Sequence, residues 1–219
     1  MLAVNPELDR MVAHPIQGRQ AMAGRPREFD KQEALRKAMR LFWEHGYEGT
    51  SMSMLVSALG IASARIYAAF GSKQQLFEEA VALYESAEGG FADRALEMPD
   101  IRQALAQMLD AAIGTYTRAG EPRGCLVVSA ASGVAPENTG VLTWLSGHRL
   151  QRTESIISRL HKARADGQLP TDADVEALGH FYATFLHGIS VQARDGVSAD
   201  ALRSACKCAL AVLPESDRR

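Results

Sequence analysis

The sequence lacks the features that mark several large classes of protein. No stretch reaches the ~18 uninterrupted apolar residues of a membrane-spanning helix, and the first residues contain no continuous apolar segment typical of a secretory signal. Three cysteines are too few, and odd in number, for a disulfide framework. Glycine and proline, 18 and 8 of 219 residues, are too scarce for a fibrous or disordered chain. These absences predict a globular, cytoplasmic protein without a membrane partner.

Common catalytic and metal-binding motifs are also absent. The chain contains no G-x-S-x-G, H-E-x-x-H, G-x-x-x-x-G-K-[ST] or G-x-G-x-x-G sequence. His180 and His187 share one face of a predicted helix, but no carboxylate or cysteine lies at chelating spacing, so we predict no metal. Cys206 and Cys208 face nearly opposite sides of a helix and are interpreted as small buried side chains. We therefore expect neither an enzyme nor a bound cofactor.

The charge of the chain is distributed unevenly. Its net charge is −2, which by itself argues against a nucleic-acid-binding protein. Residues 19–75, however, contain nine Lys and Arg against five acids, a local charge of +4. The rest contains 15 bases and 21 acids and is therefore at −6. This division is expected if only the N-terminal part contacts a polyanion, although such an imbalance also occurs without function.

Hydrophobic periodicity and capping residues predict an all-α chain. Asp30 with Glu33, and Ser72 with Gln75, form capping boxes, and Gly46 and Gly60 provide helix stops. The apolar run 124–132 suits a strand in composition, but no partner strand is visible, which favours a buried helix. The predicted helices lie at about 30–45, 52–59, 62–70, 72–84, 101–116, 138–165, 173–194 and 199–213. The two short helices joined at Gly60 indicate a helix-turn-helix.

Residues 25–84 carry a specific series of motifs. Gly24-Arg25-Pro26-Arg27 precedes the first helix, and Gly46-Tyr47-Glu48-Gly49-Thr50-Ser51 follows it. Leu59-Gly60-Ile61 then leads to I-Y-x-x-F-x-S-K-x-x-L-F, which ends at Phe77. This segment resembles the DNA-binding domain of the tetracycline-repressor (TetR) family of bacterial transcription regulators. The resemblance implies a flexible arm at 1–24, a three-helix helix-turn-helix domain at 25–75, and a larger helical effector-binding and dimerisation domain at 76–219.

The resemblance assigns DNA contacts to individual residues. Residues 62–70 become the recognition helix, which enters the major groove, with Ile66 and Phe70 holding it from behind. Small side chains let the helix approach the bases and contact thymine methyl groups, and polar neighbours read bases or bind phosphate. The set comprises Arg25, Arg27, Thr50, Ser51, Ser63, Ala64, Arg65, Tyr67, Ala68 and Lys73.

Simpler interpretations of these residues stay open. Tyr67 is either a phosphate contact or a packing residue, and Lys73 is either a phosphate contact or an ordinary surface lysine. Arg65 reads a base, binds a phosphate or does neither. Arg25 and Arg27 reach a minor groove or belong to a solvated arm. Ala62 stands where the family often has a capping Ser, so Ser63 caps the recognition helix instead, or the helix is poorly capped.

The C-terminal residues are less informative. The family resemblance implies a pocket for an unknown small-molecule effector, and polar and aromatic residues supply candidates for its wall: Tyr116, Cys125, Trp144, His148, Phe181, Phe185 and His187. Each is equally compatible with the core, and Cys125 is either a buried residue or a thiol sensor.

The last two predicted helices suggest how two copies of the chain pair. Apolar residues recur along them at Val175, Leu178, Tyr182, Phe185 and Ile189, and at Leu202, Ala205, Ala209 and Leu213. They predict a homodimer through 173–194 and 199–213, or else only complete the protomer's own core.

The favoured function is a ligand-released, homodimeric repressor acting on palindromic operator DNA. The alternative is a constitutive DNA-binding dimer that has no effector or is controlled by a protein partner. A cavity of a few hundred Å³ with convergent polar groups favours the first hypothesis, and a solid core favours the second.

Overall fold

The structure is a computed structural model that describes residues 29–216, and within this range it contains helices and no strand. The all-α prediction is confirmed. The helices are α1 (Lys31–Gly49), α2 (Met52–Leu59), α3 (Ser63–Phe70), α4 (Lys73–Ser86), α5 (Phe91–Leu96), α6 (Ile101–Tyr116), α7 (Leu126–Ser129), α8 (Thr139–Ala165), α9 (Val175–Arg194) and α10 (Ala199–Ala211), with a 3₁₀ turn at Pro136–Asn138.

The helix starts are fixed by the capping side chains identified in the sequence. Asp30 accepts hydrogen bonds from the backbone N–H groups of the first turn of α1, and Ser51 and Ser72 do the same for α2 and α4. Gly46 has φ +72°, which breaks α1 before its last three residues. The predicted stop is therefore present, although helical structure resumes briefly beyond it.

Helices α2 and α3 form the helix-turn-helix. They are bent by 92° relative to each other across a short break, within the range of such motifs. Gly60 closes α2 in the left-handed conformation, with φ +70°. No single helix between residues 29 and 216 is long and apolar enough to cross a membrane; α2 and α3 meet that test only as a bent pair.

An aromatic cluster joins α1 to α4. Phe42 on α1 meets Phe77 on α4 edge to face, with 5.0 Å between ring centroids. Trp43 and Tyr84, also on α1 and α4, meet at 4.8 Å. These rings are buried in one core that continues into α6–α10. The proposed domain boundary at 75/76 falls in the first turn of α4 and remains a prediction.

The larger part of the chain packs around α6, which contacts α5, α8, α9 and α10. The buried Arg159 on α8 donates hydrogen bonds to the carbonyl oxygens of Leu96, Met98 and Pro99, and so fixes the corner between α5 and α6. The apolar run 124–132 contains the short helix α7, as favoured over a strand. The sequence analysis missed α5, which at six residues is too short to show a period.

The predicted apolar stripes on the last two helices serve mainly the protomer's own core. Val175, Tyr182 and Ile189 are buried, as are Leu202, Ala209 and Leu213 on and after α10. For these six residues the second of the two alternatives therefore applies: they complete the protomer's own core. The outward large apolar residues of α9 are Leu178, Phe181 and Phe185, which are partly exposed, and Val191, which is 50% exposed.

Candidate DNA-binding surface and effector cavity

Helix α3 is held by two buried residues and presents its other face to solvent. Ile66 and Phe70 are buried, as expected for side chains that hold a recognition helix against its support. Ala62 occupies the N-cap position without a side-chain hydrogen bond, so α3 is poorly capped, one of the two outcomes considered above. The predicted contact residues on α3 all lie on the exposed face: Ser63, Ala64, Arg65, Tyr67 and Ala68.

The polar residues of this face differ in how tightly they are held. Tyr67 is 46% exposed, which leaves its hydroxyl accessible and argues against a pure packing role. The Arg65 guanidinium lies 5.2 Å from the centroid of the Phe29 ring, just before α1. A cation held over an aromatic face keeps its charge and its hydrogen-bond donors. Arg65 therefore lies beside Phe29, the residue that precedes the N-cap of α1, and its guanidinium keeps donors for DNA.

Two predicted contact residues that flank the recognition helix differ in exposure. Ser51 is exposed at the start of α2, where it accepts a hydrogen bond from Met54 N at 3.2 Å. Lys73, the first residue of α4, is partly buried, with Nζ 4.3 Å from the centroid of the Tyr47 ring. Desolvation lowers the pKa of Lys73, while the Glu48 carboxylate opposes this effect. The geometry keeps this cation next to the helix-turn-helix.

The prediction that Thr50 contacts DNA does not fit its environment. Thr50 has 0% exposure, and its hydroxyl donates to the Gly46 carbonyl at 2.7 Å and the Leu41 carbonyl at 3.2 Å. The side chain therefore closes the bend after α1 and is not available to a phosphate. Arg25 and Arg27 lie outside the described residues, so their predicted arm contacts stay predictions.

Helix α1 is hydrogen-bonded to the larger part of the chain at several points. Trp43 Nε1 donates to the Gly124 carbonyl at 2.8 Å. Arg194, at the end of α9, donates to the carbonyls of Trp43 and Glu44 at 3.2 and 2.7 Å. Trp43 was not among the residues predicted from the sequence to have a role, and its partner is 81 residues away. No local pattern reports such a contact.

Glu48, near the end of α1, is also hydrogen-bonded to the larger part of the chain. Its Oε1 accepts hydrogen bonds from Ala135 N at 2.9 Å and from Asn138 Nδ2 at 2.7 Å. These hydrogen bonds lower the pKa of Glu48, the backbone N–H of Ala135 having the largest effect. Glu48 thus ties the helix-turn-helix to the loop that precedes α8.

The larger part of the chain contains a small, partly open cavity of about 40 Å³. Four predicted pocket residues line it: Tyr116, Cys125, His148 and His187. Trp144, Phe181 and Phe185 do not, so their assignment to the pocket is corrected. Trp144 packs against Phe77 and His148, because the rotation of the long helix α8 turns it toward α4. Phe181 and Phe185 stack on each other at the outer face of α9.

Several polar groups of the cavity wall were not identified from the sequence: Tyr84, Glu85, Arg149 and Arg152. Burial raises the pKa of Tyr84 and of Tyr116 well above the ordinary value, with Cys125 as a further contributor in both. Burial also lowers the pKa of His187, and nearby Arg149 acts in the same direction. At neutral pH the wall therefore contains neutral tyrosines, a neutral His187 and the cation of Arg149.

Two hydrogen bonds hold the backbone at Cys125 in the cavity wall. Its N–H donates to Ser190 Oγ at 2.8 Å, and the carbonyl of the preceding Gly124 accepts from Trp43. Within residues 29–216, no group of three His, Cys, Asp or Glu side chains is arranged to hold a metal ion. Cys206 is buried as interpreted from the sequence, whereas Cys208 is exposed, which corrects that part of the interpretation.

Comparisons with known proteins agree with the geometry of α2 and α3. Residues 34–80 match the family model described as bacterial regulatory proteins, tetR family. Residues 102–209 match the tetracyclin repressor-like C-terminal domain. The two matches together span more than half of the chain.

Curated and solved relatives extend over most of the chain. It is 31% identical over 194 residues to the HTH-type transcriptional repressor ComR of Escherichia coli K12, covering 88% of this chain and 92% of ComR. It is 29% identical to the repressor BdcR of the same organism, covering 82% and 86%.

A solved structure of the regulator CifR, a cysteine mutant in complex with a 26-bp operator, is 41% identical to this chain. It superposes with a TM-score of 0.83 and covers 87% of this chain and 100% of CifR. The chain thus belongs to the TetR family and is a DNA-binding transcriptional regulator.

Proposed function

We propose that this regulator is a repressor that binds a palindromic operator as a homodimer and releases it when a small molecule occupies the cavity beside Cys125. The observation that carries the proposal is the hydrogen bond from Trp43 Nε1 to the Gly124 carbonyl. It joins α1, which supports the recognition helix, to the residue next to Cys125 in the cavity wall. A change in the cavity is thereby connected to the DNA-binding helices.

The exposed face of α3 supports the DNA-binding part of the proposal. Ser63 and Arg65 have the chemistry to read base edges, and Ala64 and Ala68 allow close approach and contact with thymine methyl groups. Tyr67, Ser51 and Lys73 are assigned to phosphates, where they position the protein without specifying a sequence.

Outward apolar residues of α9 and the chain after α10 support the dimer. Phe181 and Phe185 stack with ring centroids 6.1 Å apart on a partly exposed face, and Val212 is 50% exposed. An apolar surface of this kind on a globular protein marks an interaction site. Pairing about a two-fold axis buries the same surface on both protomers, and presents two α3 helices to successive major grooves about 34–36 Å apart.

Release follows if the effector binds better to a form in which α1 has moved. Ligands shift a conformational equilibrium only by differential affinity for its states. The larger domain holds α1 at several points: the hydrogen bonds that involve the Trp43 indole, the carbonyls of Trp43 and Glu44 and the Glu48 carboxylate, and those from Arg40 to Glu121 and to the Gly120 carbonyl. Displacing them changes the separation of the two recognition helices, and so weakens the match to the operator half-sites.

The size of the cavity favours a second candidate function. Its volume of about 40 Å³ is far below the ~300 Å³ at which ordinary ligand pockets begin. A constitutive DNA-binding dimer, without an effector or controlled by a protein partner, needs no larger space. The two candidates share the DNA-binding surface and differ only in whether a small molecule releases the operator.

Selection of bound DNA from a random pool, with the mass of the complex measured in parallel, tests the shared part. A two-fold symmetric site bound by two protomers supports the proposal. Absence of any enriched sequence, with only salt-sensitive binding, contradicts it. The selected site then serves as the probe in a screen for small molecules, and release by none of them supports the constitutive candidate.

A further inference from the structure

The charged groups around the cavity are unequally paired. The Glu85 carboxylate contacts His148 Nδ1 at 2.9 Å, and the Asp93 carboxylate forms an ion pair with Arg152. Arg149 also lines the cavity but has no carboxylate partner in the described part of the chain. Its guanidinium donates to Ser146 Oγ at 2.9 Å and, at the longer distance of 3.5 Å, to the Val127 carbonyl. It therefore retains donors and charge for a further partner.

The hydroxyl of Tyr84 is a second incomplete group in the same wall. Tyr84 is 1% exposed, and its Oη makes no hydrogen bond of ordinary geometry among residues 29–216, although the Cys125 side chain and the Leu126 backbone are polar neighbours. A buried hydroxyl left in this state destabilises a protein, because it has lost its hydrogen bonds to water without replacing them. A hydroxyl that lowers the stability of the free protein in this way is expected where a bound ligand supplies the missing hydrogen bond.

The other residues that line the cavity, together with its volume, limit the size and the polarity of a bound molecule. Phe91, Val128 and Leu186 provide an apolar side, and neutral His187 stands near Arg149. A volume of about 40 Å³ holds about three water molecules, at ~10–15 Å³ of such volume each. That space fits a group of three or four heavy atoms, with larger ligands requiring the cavity to expand.

The cavity thus brings together the Arg149 guanidinium, which has no carboxylate partner among the described residues, the Tyr84 hydroxyl, which makes no hydrogen bond of ordinary geometry there, and a short apolar wall. From this juxtaposition we infer that the cavity binds a small organic carboxylate. The carboxylate lies against Arg149, which matches its planar geometry with paired N–H donors. Tyr84 Oη donates to one carboxylate oxygen, and the short carbon chain faces Phe91 and Leu186. The inference rests on the proposed function only for the consequence of binding, the release of DNA.

Calorimetric titration of the full chain at pH 7.5 tests the inference without reference to DNA. The probes are acetate, propionate, butyrate and benzoate, each compared with its uncharged amide. We expect at least one carboxylate to bind at least ~10-fold more tightly than its amide, the difference that a charge-assisted hydrogen bond supplies. Equal binding of acid and amide, or binding of no carboxylate, overturns the inference.

Variants locate the site. Arg149→Gln should weaken carboxylate binding roughly 10- to 100-fold and Tyr84→Phe roughly 2- to 10-fold, whereas Arg118→Gln, outside the cavity and paired with Glu88, should leave binding unchanged. Because the Tyr84 hydroxyl has no partner, Tyr84→Phe should not lower the melting temperature of the free protein. Arg149→Lys keeps the charge and controls for misfolding. Wild-type affinity in Arg149→Gln overturns the inference.

Operator release measured in parallel separates the two proposals. Carboxylate binding without DNA release supports the ligand class and contradicts the ligand-released repressor. Failure of every carboxylate to bind in the calorimetric titration, together with DNA release by a thiol-reactive probe such as methyl methanethiosulfonate that is abolished in Cys125→Ser, supports release through the cavity and overturns the carboxylate inference.

Discussion

Replacing Gly124 by alanine should destabilise the protein more than the same replacement at Gly133. Both glycines have left-handed backbone conformations, with φ of +78° and +74°. Each alanine therefore meets a similar backbone strain, worth about 1 kcal/mol. A Cβ at Gly124 would also lie 2.8 Å from the backbone oxygen of Ser190, whereas a Cβ at Gly133 has nothing within 4 Å.

The contact with Ser190 is what separates the two variants. Relieving an overpacked contact of this kind costs about 1–3 kcal/mol, so we expect a total of about 3 kcal/mol for Gly124→Ala and about 1 kcal/mol for Gly133→Ala. For a chain of this length each kcal/mol corresponds to a melting temperature lower by about 2–4 °C. Gly124→Ala should also change operator affinity, because the Gly124 carbonyl accepts the hydrogen bond from Trp43.

Thermal unfolding of both variants at one protein concentration measures the difference, since dimerisation makes the melting temperature concentration-dependent. Equal losses would show that α9 yields to the added methyl group without cost. In that case the segment before Cys125 is not held rigidly, and the argument that it transmits a change from the cavity to α1 fails.

Four further predictions concern single side chains. Thr50→Val should lower the free energy of unfolding by about 1–3 kcal/mol in urea titrations, because the buried Thr50 hydroxyl no longer donates its proton to the Gly46 carbonyl, with the Leu41 carbonyl as the more distant acceptor; an unchanged value would show that the hydroxyl is not needed at the bend. Tyr67→Phe and Lys73→Ala should weaken binding similarly on all DNA sequences, and for Lys73→Ala the slope of log affinity against log salt should fall by about 1. Arg65→Ala should relax preference at one base pair if Arg65 reads a base; unchanged preference in a binding-site selection assigns it to phosphate or to neither. Because the pKa of His187 is lowered in the folded protein, the unfolded chain binds a proton on this side chain at a higher pH than the folded chain does, and the free energy of unfolding falls as pH drops through about 6.5. His187→Gln should therefore lose less of its free energy of unfolding between pH 7.5 and pH 5.5 in denaturant unfolding. An identical loss in the variant and the wild type would contradict the assignment to His187.

The helix-turn-helix was predictable because its signals are local. Asp30, Ser51 and Ser72 cap helices through bonds to residues two or three positions away, and Gly60 ends α2 by its own backbone conformation. Each signal is complete within one turn of chain. The orientation of Thr50, in contrast, depends on carbonyls up to nine residues back, and the sequence alone placed it wrongly on the DNA surface.

The cavity was only half predictable because its wall is assembled from distant helices. Cys125 and His187 were among the polar and aromatic candidates for the pocket that the family resemblance implied. Tyr84 looked like one more apolar position of α4, and its missing hydrogen-bond partner is visible only in the folded protein. On α9 the spacing of apolar residues predicts an apolar stripe, but the direction in which that stripe faces depends on packing against α8 and α6. Tyr182, expected at the dimer interface, is therefore buried in the core, and Phe181, expected in the pocket, lies partly exposed on the outer face.

The hydrogen bonds made by α1 have a consequence for the construction of chimeric regulators. Trp43 and Glu48 reach Gly124 and Ala135, and Arg194 reaches back to the end of α1. A graft that joins residues 29–86 to the effector domain of a relative leaves these partners behind. To keep its response to a signal, an exchanged DNA-reading module must bring along the 120–138 loop and the last turn of α9, so the portable unit is discontinuous in sequence.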